Sequence, residues 1–325
     1  MRPSLAILFL LHCLAVAGPA QTARQEKTID LPAGVSVELG TISHGGNVVA
    51  AICSDRAVRV WSVHSGELLR TIEGGKEPVA VQFSNNERLL AVAYEIVVNE
   101  KGVVKIFDID SWKAQHDFAD EAPVYGLAFS ADGRHLAGAG FFDSYVWDLP
   151  ARKKAATLSP PFGGSASVAF STDGAWVATA DGDTYVRVYD ASTGALHSSI
   201  QGTLLEPMTV AFSPDGKTLL AGGVDKTIRV IEAASGKISR TIPKQPGLVS
   251  SLDISPDGKH AIVVYRSAER FNDVNHLALW DLEKGTILAD FQKPGITIAG
   301  NGTFVGDHYL FAVASANQLT LWFLP

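Results

Sequence analysis

The sequence predicts an all-β fold built from seven copies of one repeated unit. A turn motif of the FSPDG type follows an apolar residue in each copy, at Ile42, Phe83, Phe129, Phe170, Phe212, Ile254 and Phe304. A second apolar or aromatic anchor ends a later strand of each copy, at Trp61, Phe107, Trp147, Tyr189, Ile231, Trp280 and Trp322. Successive anchors of this second set are 46, 40, 42, 42, 49 and 42 residues apart. A period of roughly 40–45 residues with four short strands per copy is typical of propeller blades. We therefore predict a single seven-bladed β-propeller of four-stranded blades.

The segments between these anchors support four strands per blade, named a to d here from the axis outward. Runs such as VAVQF, LLAVAY and VVKIF are rich in β-forming residues and are bounded by Gly, Asp, Asn and Pro, without a helical period. In the Ser-Pro-Asp-Gly motifs, Pro restricts φ, Asp bonds to nearby backbone and Gly accepts a positive φ. The aspartates of these motifs are therefore expected to form turns and not to act as catalysts.

A third anchor predicts how the ring closes. An apolar residue lies eleven positions after each of the first six strand c anchors, at Ile72, Phe118, Leu158, Ile200, Ile242 and Phe291. The seventh such position would lie beyond Pro325, whereas KTIDLPAG around Ile29 resembles RTIEGGKEP around Ile72. The segment 25–31 is therefore expected to pair into the last blade as its outer strand, which removes an exposed sheet edge.

Two further features give the repeat a family resemblance. Trp147-Asp148 and Trp280-Asp281 are WD dipeptides, and Asp55, Asp183 and Asp225 each precede a strand c anchor by six residues. With the FSPDG turns, this pattern resembles the WD-repeat β-propellers over about residues 25–325. The Gly-His pair of that family is absent and four repeats lack the Asp, so the chain is more similar to the divergent bacterial branch related to YVTN-type repeats. The resemblance implies a rigid, non-enzymatic platform for protein partners.

Residues 1–20 differ from the rest of the chain. Arg2 is their only charge, and an almost wholly apolar run from Leu5 to Val16 is followed by small residues. Such a run is too short to span a bilayer, which needs about 20 residues, but it fits the core of a signal peptide. We predict a signal peptide over 1–20 and one propeller domain over 21–325, in the periplasm or secreted. Cleavage after Ala17, Ala20 or Ala23, lipidation at Cys13 and an uncleaved anchor remain alternatives.

The composition excludes several classes of protein. Twenty-seven Lys and Arg against 34 Asp and Glu give a net charge of −7, which argues against nucleic-acid binding. After removal of residues 1–20, Cys53 is the one remaining cysteine, so no internal disulfide is expected. The sequence contains no HExxH, GxxxxGK[ST], GxSxG or CxxC motif. We therefore predict no catalytic residues, no metal and no cofactor. We also predict no membrane-spanning segment in the rest of the chain, and a monomeric protein.

Partner-binding residues are expected where repeats carry extra residues. The distance from the strand a anchor to the strand c anchor is 24 residues in the second repeat and 26 in the sixth, against 18 or 19 elsewhere. The extra residues fall between strands b and c, over 94–102 and 265–276. Loops on a rigid scaffold commonly hold binding residues, and Arg beside aromatic residues is typical of interface hot spots. The candidate partner face comprises Arg266, Arg270, Phe271, Phe141, Phe142 and Glu95. The alternative is that the inserts are solvated hairpin extensions.

The axis of the ring is the other candidate site. The residues just before the strand a anchors are Thr41, Gln82, Ala128, Ala169, Ala211, Asp253 and Thr303. Their small size suits a crowded axis, and Asp253 is the single charge among them. One carboxylate is too few for a metal-dependent, lactonase-like site. A propeller enzyme or a small-ligand or metal binder that uses the axial funnel therefore remains the alternative function.

Overall fold

A computed structural model describes residues 23–73, 75–95, 102–120, 123–161, 163–201, 206–242, 245–267, 276–292, 297–298, 300, 302–305, 308–315 and 317–324. Every regular element in these residues is a β-strand, and the strands form seven antiparallel sheets. No helix in this part of the chain is long and apolar enough to cross a membrane. The predicted seven-bladed β-propeller is confirmed.

Each of the first six blades is a meander of four consecutive strands. The first strand of the chain, β1 (Arg24–Asp30), belongs to blade 7, so blade 1 begins with β2. The strands of blades 1 to 3 are β2 (Val37–Ile42), β3 (Val48–Cys53), β4 (Ala57–Ser62), β5 (Leu68–Glu73), β6 (Pro78–Phe83), β7 (Leu89–Tyr94), β8 (Gly102–Asp108), β9 (Ala114–Asp120), β10 (Val124–Phe129), β11 (His135–Gly140), β12 (Ser144–Asp148) and β13 (Lys153–Leu158).

Blades 4 to 6 follow the same order. Their strands are β14 (Ser165–Phe170), β15 (Trp176–Asp181), β16 (Tyr185–Asp190), β17 (Leu196–Gln201), β18 (Pro207–Phe212), β19 (Thr218–Gly223), β20 (Ile228–Glu232), β21 (Ile238–Ile242), β22 (Leu248–Ile254), β23 (His260–Arg266), β24 (His276–Asp281) and β25 (Thr286–Gln292). Blade 7 combines β26 (Thr297–Ile298), β27 (Thr303–Val305), β28 (His308–Ser315) and β29 (Gln318–Leu324) with β1.

The strand registers place the connections on two opposite faces of the ring. In blade 3, Val124 at the start of strand a pairs with Gly140 at the end of strand b. Entry into strand a and the b–c connection therefore lie together on one face, which we call the loop face. The a–b turns and the c–d turns lie on the opposite face, which we call the turn face. The strand ends that flank the two predicted inserts, those of β7 and β8 and of β23 and β24, are on the loop face, and residues 96–101 and 268–275 of the inserts lie outside the described residues.

The hydrophobic core is divided among the contacts between blades. The buried apolar residues of the described chain form seven clusters, and each cluster lies between two neighbouring blades. In blade 1, strand b is buried along almost its whole length because both of its faces are covered by neighbouring sheets. Six of the seven strand c anchors are buried, and Trp322 is partly buried.

The first strand closes the ring, as the sequence predicts. β1 pairs antiparallel with β29, with Ile29 opposite Leu319 and Asp30 opposite Gln318. Ile29 is buried in the cluster between blades 7 and 1, whereas most other residues of β1 are exposed. Just after β1, the Leu31 amide donates a hydrogen bond to the Asn317 carbonyl at 2.8 Å. Backbone pairing and one apolar side chain thus hold the seam.

Blade 7 departs from the regular four-strand plan. Its inner strand is divided into the short pieces β26 and β27, both of which pair with β28. Gly300 lies between them with φ +73°, and a Cβ added there would collide with the backbone carbonyl of Gly40 in blade 1. The close approach of blades 7 and 1 at the axis therefore interrupts the inner strand of this blade.

The seam can be tested with two substitutions in the same strand. We expect Ile29→Ala to lower the free energy of unfolding by about 2–4 kcal/mol, because it removes the buried side chain of the closing strand. Thr28→Ala, one residue away on the exposed side, is the matched control and should change it by less than about 0.5 kcal/mol. Urea unfolding of both variants measures the difference. Equal, small effects would show that the packing of β1 contributes little to ring stability.

Candidate partner face and axial channel

A β-bulge in the inner strand of each of the first six blades shapes the centre of the loop face. In each case the register with strand b shifts by one residue near the start of strand a. The extra residues are Glu38, Val79, Tyr125, Ala166, Met208 and Ser250. Bulges reorient side chains at the rims of closed sheets. Tyr125, Ala166, Met208 and Ser250 line a cavity of about 210 Å³ at this end of the axis.

Blade 3 carries an exposed aromatic pair on the loop face. Phe141 and Phe142 lie in its b–c turn and are 56% and 64% exposed. Their ring centroids are 4.9 Å apart at an interplanar angle of 87°, an edge-to-face arrangement that aromatic pairs favour. The Phe141 amide donates to the carbonyl of Pro123 at 3.1 Å, which ties this turn to the start of β10.

Tyr125 extends the aromatic surface towards the axis. It is 43% exposed, and it is one of only three exposed aromatic residues in the described part of the chain, all of them in blade 3. Burial raises the pKa of Tyr125, and the negative charge of Glu95 in blade 2 adds to the effect. Glu95 is exposed and directly follows β7. Phe141, Phe142, Tyr125 and Glu95 therefore define a surface over blades 2 and 3, which we call the aromatic patch.

Of the predicted residues of blade 6, the structure describes Arg266, which lies across the ring from this patch. Arg266 is the last residue of β23 on the loop face and is partly buried, and this burial lowers its pKa. Arg270 and Phe271 lie outside the described residues. The structure thus groups Phe141, Phe142 and Glu95, and it separates Arg266 from them. Tyr125 was missed because its identity as a bulge residue depends on the strand register. Its signal was an aromatic residue four positions before an anchor, where the other described blades have none.

The predicted aspartate anchors have a structural role that involves partners the sequence analysis missed. Asp55 binds Arg59 at 2.6 Å, and the corresponding Asp183–Arg187 and Asp225–Arg229 pairs are both 2.7 Å long. The three arginines are buried, each two residues before a strand c anchor. In blade 1, the Arg59 guanidinium lowers the pKa of Asp55. An Asp–Arg pair therefore braces the b–c turn in three blades.

Blade 3 lacks this brace. Phe141 occupies the position of Asp55, Asp183 and Asp225, and the buried Tyr145 occupies the position of the arginines. Blades 2, 6 and 7 lack the Asp–Arg pair as well, whereas two exposed aromatic rings in the b–c turn occur in blade 3 alone among the described residues. The signal was present in the sequence as a deviation from the repeat.

The seven predicted axial positions do line one cavity. It has a volume of about 490 Å³ and also includes residues of the a–b turns, so it forms the turn-face half of the channel. The lining at this level consists of Thr41, Gln82, Ala128, Ala169, Ala211, Asp253 and Thr303. This cavity and the smaller one at the loop face share Gln82 and the apolar residues Leu127, Val168, Val210 and Leu252. We call the larger cavity the axial chamber.

Asp253 is the one acidic residue among the described residues that line the axial chamber. Burial raises the pKa of Asp253 to about 7, against the opposing effect of the Ile254 amide, which donates to its Oδ1 at 2.9 Å. Among the described residues, no group of three or more His, Cys, Asp or Glu side chains could hold a metal ion. Cys53 lies elsewhere, buried in β3, and burial raises the pKa of its thiol.

Comparisons with known proteins agree with this architecture. The family described as "WD domain, G-beta repeat" matches residues 155–190 and 198–232. Each matched segment runs from the outer strand of one blade through strands a, b and c of the next blade, β13–β16 and β17–β20. The protein is thus a β-propeller that is similar to this family over these two segments, and the finer likeness to bacterial YVTN-type repeats stays a prediction.

Curated relatives match parts of the chain at low identity. Eukaryotic translation initiation factor 3 subunit I of Candida albicans is 24% identical over 48% of this chain and 48% of its own length. WD repeat-containing protein SL1-17 of Schistosoma mansoni is 29% identical over 48% of this chain and 50% of its own length. Periodic tryptophan protein 2 homolog of Schizosaccharomyces pombe is 26% identical over 55% of this chain and 23% of its own length. The chain spans about half the length, or less, of the curated relatives it matches.

A solved structure matches almost the whole chain. A chain of the "Crystal Structure of Mitotic Checkpoint Complex" aligns with a TM-score of 0.78 and 21% identity, and the match covers 98% of this chain and 100% of that chain. At this identity the likeness concerns the fold.

The raised pKa of Asp253 predicts the direction in which the stability of the fold changes with pH. Because the folded state raises the pKa from 3.8 to about 7, the wild type should lose stability as the pH rises through this window. Asp253→Asn lacks the titrating group, so its advantage over the wild type should grow between pH ~4 and ~7 and remain constant above. Asp257→Asn in the adjacent turn is the control. Thermal unfolding across pH 4–8 checks this, and parallel curves for the wild type and Asp253→Asn would contradict it.

Proposed function

We propose that this propeller is a non-enzymatic platform that binds a protein partner through the aromatic patch on its loop face. The exposed, mutually packed rings of Phe141 and Phe142 in the b–c turn of blade 3 carry the proposal. Two exposed, mutually packed rings supply a large apolar contact area, and aromatic residues are enriched among the residues that dominate interface energies. The rigid blades fix the turn, so little conformational entropy is lost on binding.

The charges around the patch indicate the chemistry of the partner. Glu38, Glu77 and Glu95 of blades 1 and 2 are exposed on the loop face, and Arg56 is 3.9 Å from Glu77. Among the described residues on this side of the aromatic patch, these three acids outnumber the bases Arg56 and Lys76. A partner segment with an apolar side chain next to Lys or Arg would complement both features, since electrostatic complementarity favours encounter and orientation.

The comparisons support a role in assemblies. One curated relative is named as a subunit of a translation initiation factor, and the matched solved structure is that of a complex. We extend the class of function, protein binding, to this chain, and not the partners of those proteins. We also propose Arg266, Arg270 and Phe271 of blade 6 as a second contact region; of these, Arg266 lies at the end of β23 on the loop face.

The aromatic patch is tested by a matched pair of double variants. Phe141→Ala with Phe142→Ala should weaken binding to the native partner by at least about tenfold, since hot-spot truncations commonly cost more than 1.4 kcal/mol. Leu68→Ala with Leu69→Ala removes an equally exposed apolar pair from the outer rim, where these leucines are 48% and 42% exposed. Quantitative pull-down from the native host, followed by titration of the recovered protein, measures both variants. If the wild type and both double variants recover the same amount of partner, the aromatic patch is excluded as the binding site.

We also propose that residues 1–20 direct export to the periplasm or to the outside of the cell. Their fusion to a reporter that is active only outside the cytoplasm should give activity, and Leu10→Arg should abolish it because a charge interrupts the apolar core. N-terminal sequencing of the mature protein should then give Gly18, Gln21 or Arg24 as the first residue. Each of these sites leaves β1 (Arg24–Asp30) intact. Cytoplasmic retention of the native fusion would contradict the proposal.

A further inference from the structure

The axial chamber has two chemically different halves. Blades 6, 7, 1 and 2 contribute Asp253, Thr303, Thr41 and Gln82, which are adjacent in the ring and all polar. Blades 3, 4 and 5 contribute only alanines at this level, at Ala128, Ala169 and Ala211. A volume of about 490 Å³ is within the range of small-molecule sites. The chamber thus pairs a polar wall that contains one carboxylate with a small apolar wall.

The carboxylate of Asp253 has no counter-charge within the described chain. Its pKa responds to burial and to the Ile254 amide, and no cation of the described residues contributes. The nearby Tyr309 hydroxyl accepts a hydrogen bond from the Gly302 amide at 2.9 Å, and burial raises the pKa of Tyr309 well above its usual value, so Tyr309 stays neutral. Asp253 is half-buried and lines the chamber. Without a cationic partner its carboxyl is costly to ionise there, and a bound cation would lower that cost.

The neighbouring polar groups suit an organic cation. Thr303 Oγ1 and Thr41 Oγ1 make only long contacts of 3.4 Å, to the His44 carbonyl and to Gln82 Oε1. Their oxygens can accept further N–H donors beside Asp253. A divalent metal needs several oxygen ligands on one ion, and the described residues of the chamber supply one carboxylate.

We propose that the axial chamber binds a small organic monocation, an alkylammonium or a guanidinium, with its charged head on Asp253 and its methylenes against the alanines of blades 3 to 5. The site lies at the turn-face end of the channel, on the opposite side from the aromatic patch. It is therefore independent of the proposed platform function, and either proposal can fail without the other.

Binding should depend on pH in a defined direction. The carboxyl of Asp253 must lose its proton to hold a cation, so affinity should fall by about tenfold from pH 8 to pH 6, given a pKa of about 7. His44 lines the same chamber. Tyr309 stays neutral over this range. The Asp253 and His44 contributions are separated by comparing Asp253→Asn with His44→Gln.

The experiment titrates the full chain with n-butylammonium and with guanidinium, by calorimetry or NMR, at pH 8 and pH 6. We expect one bound cation per chain, at least tenfold weaker binding in Asp253→Asn, and loss of the pH dependence in that variant. His44→Gln should retain most of the pH dependence. Asp257→Asn, which removes a turn carboxylate just outside the chamber, should bind as the wild type does. Ala169→Leu, which fills the apolar wall, should also weaken binding.

Two further probes complete the test. The first is a blocked Gly-Lys-Gly peptide, which is compared with n-butylammonium to distinguish a lysine side chain from a free amine. Binding of both the peptide and n-butylammonium indicates that a side chain can enter the chamber. Binding of n-butylammonium alone indicates a free small molecule as the ligand. Both results support the chamber as a cation site. Equal affinity in the wild type and Asp253→Asn, or displacement of n-butylammonium by equimolar CaCl₂, would overturn the proposal.

Discussion

Apolar packing between neighbouring blades is the interaction on which the rest of this structure depends. Each sheet has two apolar faces and cannot bury either alone, so seven clusters form between blades and no central core is needed. The axis is left as a channel whose lining is free to vary in chemistry. The same arrangement fixes the loop face as a rigid surface, on which single turns such as that of blade 3 can change without disturbing the sheets.

Much of the fold could be predicted because the same pattern of strand anchors and turns recurs in seven repeats. The anchors, the turns, the missing outer strand and the axial positions all follow from comparison of one copy with the next. Tyr125 and the bulged residues could not be found this way, since a bulge is defined by the register between two strands. Arg59, Arg187 and Arg229 recur beside their aspartates in the sequence, but their pairing is visible only when the turn brings Asp and Arg together.

Deviations from the repeat were the most informative part of the sequence for function. Phe141 and Phe142 stand where an aspartate and a turn residue are expected, and Asp253 stands where other blades have small or neutral residues. The lengths of the b–c inserts singled out blades 2 and 6, whereas the exposed aromatic pair lies in blade 3, whose b–c turn is of ordinary length. Gly300, by contrast, deviates for a structural reason, since blade 7 approaches the backbone of blade 1 at Gly40.

The seam between β1 and β29 also orders events during synthesis. Among the strands of the ring, β1 is made first and β29 last, so their six paired positions can all be formed only after Phe323 has been made. Until then the edges of both strands remain open to other chains, which is a hazard for incompletely made β-proteins. The ring therefore closes only when the first and the last of its strands meet.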